Sequence, residues 1–261
     1  MKLNIVPARA GLQWVKLGLF TFARQPLALA GLFFMYMTAA TLLSLVPIVG
    51  LVLALAIVPA ATLGLMAATQ EALKGRFPMP TVLLSAFRAG RQRLRAMVVL
   101  GLLYAAACMA VMAVVSVLID APPPQAPGSA EAMMTPRLQL SMLVGGLLYL
   151  PVSLMFWHAP ALVHWHGVSP VKSLFFSFVA CLRNAKALLV FGLAWLAVIF
   201  AVSLLIGVVA MLTGSPQVAA TALMPLGLLV TAMFSTSLYF TFRDSFVAPA
   251  ETGSPSTPEL P

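Results

Sequence analysis

The sequence predicts an all-α membrane protein, a polytopic bundle of six spanning helices with two or three amphipathic helices at the membrane interface. The first observation is composition: of 261 residues, 62% are apolar and only 8% are charged, whereas soluble domains average about 25% charged residues. The second is patterning, since the apolar residues fall into runs of roughly the twenty that cross a bilayer core. A bilayer is therefore the solvent that suits this chain.

Six apolar segments are predicted to span the membrane, within a single integral membrane domain of residues 1–245. They lie at about 26–45, 48–68, 96–119, 138–156, 187–212 and 218–240. The stretch that follows Asp120 is rich in proline and small residues, so it cannot bury enough apolar surface to fold alone and is predicted to be a flexible loop. Residues 246–261 are predicted to be a disordered cytoplasmic tail.

The positive charges indicate how the chain is oriented and what it contacts. Six spans bring both termini to one side, where fourteen of the fifteen Lys and Arg residues also fall, with Arg137 opposite. Because Lys and Arg are concentrated in cytoplasmic loops, both termini are predicted to be cytoplasmic. The formal net charge of +9 flanks apolar runs, which favours anionic membrane phospholipids as partners. No nucleic-acid partner is predicted.

The first two amphipathic segments lie on either side of the first pair of spans. Residues 8–24 show apolar residues at helical spacing, which predicts a helix in the interface with Trp14 at headgroup depth. Residues 70–95 form a basic loop, in which residues 82–95 are predicted to be one helix with an apolar and a basic face.

The third amphipathic segment, residues 157–186, mirrors the second. Its apolar stripe consists of Leu174, Phe175, Phe178 and Leu182. Basic side chains next to an apolar stripe are typical of helices that lie on anionic membranes. Across the chain, the predicted lipid- or partner-contacting residues are Arg88, Arg91, Arg93, Arg95, Lys172, Arg183, Lys186, Trp14, Trp157 and Trp165.

An internal repeat relates the two basic loops. Counting 92 residues on from Gly75, Pro78, Ser85, Arg91 and Gln92 leads to Gly167, Pro170, Ser177, Arg183 and Asn184. A weaker copy begins near Leu17. The units share one orientation, so the axis that relates them is predicted to lie along the membrane normal. The alternative is that low-complexity apolar sequence aligns with itself by chance.

Two prolines are predicted to kink spanning helices. Pro59 and Pro151 correspond in the repeat, and each removes a backbone N–H and frees a carbonyl. The two kinks either frame a polar pocket or only shape helix packing. The predicted spans contain no Asp, Glu, Lys or Arg, which argues against an ion-driven pump.

Three histidines, His158, His164 and His166, lie within nine residues. Imidazole is the commonest metal ligand, but these spacings do not place the three rings on one helical face. Interface anchoring is therefore favoured over metal binding. The acidic residues are scattered along the chain, so no carboxylate cluster for a catalytic cation is evident. No catalytic residue, metal or cofactor is predicted, and the chain is not expected to be an enzyme.

The segment W-x-A-P-A-L-V-x-x-H at residues 157–166, followed by Pro170, Ser177 and Cys-Leu-Arg-Asn ending at Asn184, resembles an uncharacterised family of six-span inner-membrane proteins of proteobacteria. It is also distantly similar to the membrane domain attached to some glycerophosphodiester phosphodiesterases. The resemblance implies a helical domain in the bacterial inner membrane and transfers no catalytic residue. The favoured function is a membrane scaffold that engages anionic lipid or a partner; the alternative is a carrier or channel for a small or hydrophobic solute.

Overall fold

The computed structural model describes residues 2–119 and 136–247, which are almost entirely helical. Within these residues the chain forms eleven α-helices and one 3-10 helix, Pro80–Leu84. The α-helices are α1 (Ala10–Arg24), α2 (Pro26–Ser44), α3 (Gly50–Ala56), α4 (Val58–Leu73), α5 (Ser85–Arg88), α6 (Arg91–Leu118), α7 (Pro136–Phe156), α8 (Ala159–His166), α9 (Pro170–Arg183), α10 (Ala185–Thr213) and α11 (Pro216–Ser245).

Six helical stretches of the described residues are long and apolar enough to cross a membrane. They are Pro26–Ser44, Gly50–Leu73, Arg91–Leu118, Pro136–His166, Ala185–Thr213 and Ala220–Ser245. Each is longer than the roughly eighteen residues that a helix needs to cross the bilayer core. The predicted fold class, an all-α polytopic bundle with six spans, is confirmed.

The two ends of the described chain meet at one end of the bundle. Strand β1 (Lys2–Leu3) pairs antiparallel with strand β2 (Phe246–Val247), so that Lys2 lies opposite Val247. The predicted disordered tail begins at residue 246, but residues 246 and 247 form strand β2. The ring of Phe246 is buried in the protein, which holds this strand in place. The rest of that tail and the loop after Asp120 lie outside the described residues.

The two prolines predicted to kink spans have different positions in their helices. The second span is divided at Ile57, and Pro59 occupies the second position of α4, where its missing N–H has no helical partner to lose. Pro151 lies inside α7, which continues through it. The prediction of one helix over residues 82–95 is wrong, because Gly90 adopts a φ of 95°, a conformation that ends α5 before α6 begins.

Three short helices lead into long apolar ones in the same way. The junctions lie at Gln25 between α1 and α2, at Ala89–Gly90 between α5 and α6, and at Asn184 between α9 and α10. Each is next to an Arg followed by Gln or Asn in the repeat. Gly75 and Gly167, which also correspond, both have positive φ, 72° and 65°. The helix pattern thus follows the repeat approximately: Gln25 and Asn184 lie at the junctions themselves, whereas Arg91 and Gln92 already belong to α6.

Helix α1 packs into the angle between α10 and α11 through glycines. A Cβ at Gly11 would overlap the backbone of α10 at Ala187, and one at Gly18 would lie 2.5 Å from Cβ of Ser237 in α11. Small residues at such contacts let helix backbones approach closely, which is a principal source of helix association in membranes. The first amphipathic helix is therefore part of the bundle.

We expect Gly18→Ala to destabilise the protein, because overpacking at such a contact costs about 1–3 kcal/mol. Thermal unfolding in detergent, followed by circular dichroism, measures the effect. Gly31→Ala is the matched control: nothing lies within 4 Å of a Cβ at Gly31, and Ala is favoured over Gly in helices by about 1 kcal/mol. Equal unfolding temperatures for the two variants would contradict the close packing of α1.

Candidate basic membrane-surface site

The end of the bundle that carries both chain ends, here called the basic end, comprises residues 2–25, 73–95, 157–186 and 243–247. It contains fourteen of the fifteen Lys and Arg residues. Among the described residues of the whole chain, only Glu71 and Asp244 are acidic, and both belong to ion pairs. The electrostatic field at this end is therefore strongly positive.

Asn184 is the centre of a buried polar network that holds the chain ends. Its Oδ1 accepts a hydrogen bond from the backbone N–H of Val6 at 2.9 Å, and its Nδ2 donates to the carbonyl of Asn4 at 3.0 Å and to Oγ of Ser245 at 3.3 Å. Asn184 is only 2% exposed. One side chain at the α9–α10 junction thereby joins both ends of the described chain to the bundle.

Trp14 is enclosed by the protein, so its predicted contact with lipid is wrong. The side chain is fully buried, and its indole Nε1 donates to Oδ2 of Asp244 at 2.8 Å. Its ring packs edge-on against Phe191 of α10. An amphipathic ring suits the interface because its N–H needs a polar partner, but here the protein supplies that partner.

Trp157 and Trp165 are half-buried at the basic end. The Nε1 of Trp157 donates to Oγ1 of Thr241 at 3.0 Å, and the Trp165 ring packs against Tyr239 and Phe242. Both rings therefore pair with α11 on their inner sides. The exposed part of each ring can still contact lipid or a partner, and that contact stays a prediction.

Ser177 explains why α7 ends before α8. In a continuous helix the N–H of His158 would donate to the carbonyl of Leu154. Instead it donates to Oγ of Ser177 at 2.9 Å, and that hydroxyl donates to the Leu154 carbonyl at 2.8 Å. A side chain inserted into the hydrogen-bond ladder in this way bends a helix. The repeat had singled out Ser177, without indicating this role.

Helix α9 buries small residues and exposes large apolar ones, which is the reverse of an amphipathic helix on a water-soluble protein. Its buried face consists of small residues, Ser173, Ser177, Ala180 and Cys181. Its outer face includes Val171, Phe175 and Leu182, which are 70%, 63% and 53% exposed. Burial raises the pKa of the Cys181 thiol to about 12, so the thiol stays protonated. Of the apolar stripe predicted from sequence, Phe175 and Leu182 face outward, whereas Leu174 and Phe178 are half-buried.

The predicted basic residues are all exposed: Arg88, Arg91, Arg93, Arg95, Lys172, Arg183 and Lys186. None of them forms an ion pair with another described residue, whereas Glu71 pairs with Lys74 and Arg76. Their charges are available to an external anion. Lys172 and Arg183 flank the exposed apolar face of α9, and Lys186 follows it.

A polar cavity of about 550 Å³ opens at the basic end, where α4, the 3-10 helix, α5 and α8 meet. Its polar lining consists of Glu71, Thr81, Ser85, Arg88 and His164. The sequence did not indicate this grouping, because it depends on the break at Gly90 and on the packing of α8. The separate signals were the repeated serine and the histidine cluster.

The histidines do not converge, and the two prolines have different surroundings. His158 is buried against Phe242 and Phe246, whereas His164 lines the polar cavity. Within residues 2–119 and 136–247, no three His, Cys, Asp or Glu residues lie together as a metal site would require. Pro59 is buried and Pro151 is exposed, so they do not face a shared pocket.

We expect Asn184→Ala to lower the unfolding temperature, since each buried group left without a partner costs about 1–3 kcal/mol. Gln25→Ala is the control at the corresponding junction, where the side chain makes one exposed hydrogen bond of 3.3 Å, to the Arg76 carbonyl. The measurement is thermal unfolding in detergent. A loss no larger than that of the control would show that the network is not what holds the ends.

Comparison with known proteins gives one informative match. No family model matches the chain, and no solved structure matches it; nothing supports the resemblance to the phosphodiesterase membrane domain. A protein named "probable inner membrane protein" from Burkholderia thailandensis is 36% identical over 273 residues, covering 99% of this chain and 98% of that protein. Its name and the six candidate spans indicate a multi-pass inner-membrane location. This chain belongs to the same family as that Burkholderia inner-membrane protein.

Proposed function

We propose that this protein is a non-enzymatic scaffold of the bacterial inner membrane whose basic end engages anionic phospholipids of the cytoplasmic leaflet. The observation that carries the proposal is the surface of α9. It exposes Val171, Phe175 and Leu182, and exposed Lys172 and Arg183 flank them. Apolar side chains at acyl depth beneath cations at headgroup level are the two contacts that an interfacial helix makes.

The second basic segment supports the same function. Leu84 and Phe87 are 47% and 41% exposed, and Arg88 and Arg91 lie next to them with no acidic partner among the described residues. Each Lys or Arg close to an anionic membrane contributes about 1 kcal/mol of attraction. Salt reduces this contribution for exposed charges. Several such residues acting together would hold the basic end against the leaflet.

A scaffold is favoured over an enzyme and over a carrier. Both cysteines are buried, Glu71 is held by two cations, and the name of the Burkholderia relative states no reaction. A carrier is expected to use a pathway framed by Pro59 and Pro151. Pro59 is buried and Pro151 is exposed, which does not favour a pathway shared by the two. A protein partner on the α9 surface is the remaining alternative, which the lipid measurement below separates.

We expect the combined replacement of Arg88, Arg91, Arg93 and Arg95 by Gln to lower the fraction of anionic lipid that co-purifies with the protein. Four such residues contribute roughly 4 kcal/mol of attraction before screening. Lipid extracted from the purified protein and quantified by mass spectrometry gives the fraction. Arg137→Gln, which changes a charge at the opposite end, is the control and should leave the fraction unchanged. An unchanged fraction both in the fourfold variant and in a variant with Lys172, Arg183 and Lys186 replaced by Gln would refute lipid engagement and favour a protein partner.

The orientation behind this proposal has its own test. Because fourteen of fifteen basic residues lie at one end, and such residues remain cytoplasmic, a reporter fused at the C-terminus should be active in the cytoplasm. A reporter inserted after residue 128 should be active in the periplasm. Activity of both reporters in the same compartment would reverse or abolish the proposed sidedness. The same assay must show the wild-type pattern for the fourfold variant before its lipid content is interpreted.

A further inference from the structure

The polar cavity contains polar atoms that have no partner in the protein. Oγ of Ser85 and Nδ1 of His164 are buried and make no hydrogen bond with any described residue. Buried donors and acceptors are costly unless something hydrogen-bonds to them. In the repeat Ser85 corresponds to Ser177, whose hydroxyl makes two hydrogen bonds. The Ser85 hydroxyl is thus available to a ligand.

The charges that line the cavity differ in how they are already paired. The Glu71 carboxylate contacts Nζ of Lys74 at 3.1 Å and Nε of Arg76 at 3.5 Å, so its charge is balanced. Arg88 is exposed and pairs with no described acid. A ligand in this cavity would therefore meet one free guanidinium, a neutralised carboxylate, and unpartnered hydroxyl and imidazole groups. This set fits a phosphate that carries hydroxyl groups.

An apolar groove of about 430 Å³ lies on the other side of the segment that separates the two spaces, residues 80–88. It is lined by Met35, Tyr36, Leu43, Ile57, Leu84 and Phe87. Thr81 lines both the polar cavity and the groove, so the two spaces are adjacent at that residue. A polar space with a free cation beside an apolar groove matches the two parts of an amphiphile.

We propose that the polar cavity and this groove together bind one phosphatidylglycerol molecule. Arg88 takes the phosphate, the headgroup hydroxyls bond to Ser85, His164 and the outer lone pairs of Glu71, and an acyl chain follows the groove past Thr81. A choline headgroup has no hydrogen to donate to these acceptors, and free phosphate leaves the groove unused. The proposal rests on the proposed engagement of anionic lipid and assigns it one specific site.

The experiment measures lipid binding to the purified full-length protein by native mass spectrometry. Short-chain phosphatidylglycerol, short-chain phosphatidylcholine and inorganic phosphate are the three probes. We expect wild-type protein to retain one phosphatidylglycerol molecule, with an affinity at least about tenfold above that for phosphatidylcholine. The double variant Ser85→Ala with His164→Phe should lose about tenfold or more of that affinity. Equal binding of phosphatidylcholine, or displacement of phosphatidylglycerol by millimolar phosphate, would overturn the lipid assignment.

The control pair makes the same chemical changes outside the cavity. Ser169→Ala with His166→Phe removes one hydroxyl and one imidazole from the same end of the bundle, and phosphatidylglycerol affinity should stay at the wild-type value. Arg88→Gln is a second test, on an exposed residue, and circular dichroism checks that this variant is folded. Wild-type affinity in both Arg88→Gln and the cavity double variant would disprove the site.

The two proposals fail separately. If the cavity variants bind phosphatidylglycerol normally while the fourfold arginine variant loses anionic lipid, the specific site is wrong and the general attraction stands. If the fourfold variant and the variant of Lys172, Arg183 and Lys186 both keep their anionic lipid, the general attraction is wrong, and only a loss of phosphatidylglycerol by the cavity variants would leave the specific site standing. Single-lipid retention and total lipid composition are therefore both recorded for every variant.

Discussion

The close approach of α1 to α10 and α11 is the constraint on which the rest of the structure depends. Gly11 and Gly18 leave room for the neighbouring backbones, and Trp14 then reaches Asp244 while Val6 reaches Asn184. Without that approach the chain ends would have no surface on which to pair. The same packing places the basic segments side by side at one end, where their charges add to one field.

Helices surrounded by lipid bury small residues and expose apolar ones. In water, burial of apolar surface drives helices together, whereas lipid is itself apolar and packing of small residues takes over. Helix α9 follows this rule at the membrane boundary: its serines and Ala180 face the bundle and Phe175 faces out. Ser177 also completes the hydrogen-bond ladder at the end of α7.

The helices could be predicted from sequence because hydropathy and length are local properties. The surface position of the basic residues could also be predicted, and all seven are exposed. The burial of Trp14 could not be predicted, since an indole N–H can donate either to a lipid headgroup or to a carboxylate such as that of Asp244 in α11. The break at Gly90 depends on a positive φ, and the polar cavity depends on that break. Periodicity found the apolar stripe of α9, but the direction in which it faces is a property of the assembled bundle.

Pairing of the first strand with the last has a consequence for biosynthesis. Asn4 donates a hydrogen bond to the carbonyl of Asp244, 240 residues away, so the N-terminal strand has no partner until that residue has been synthesised. Helices α10 and α11 must also be inserted before α1 can dock between them. Contacts of such long sequence separation form late and slowly. Strand β2 therefore completes the packing of the N-terminal segment, and a chain stalled before α10 leaves α1 without the helices against which Gly11 and Gly18 pack.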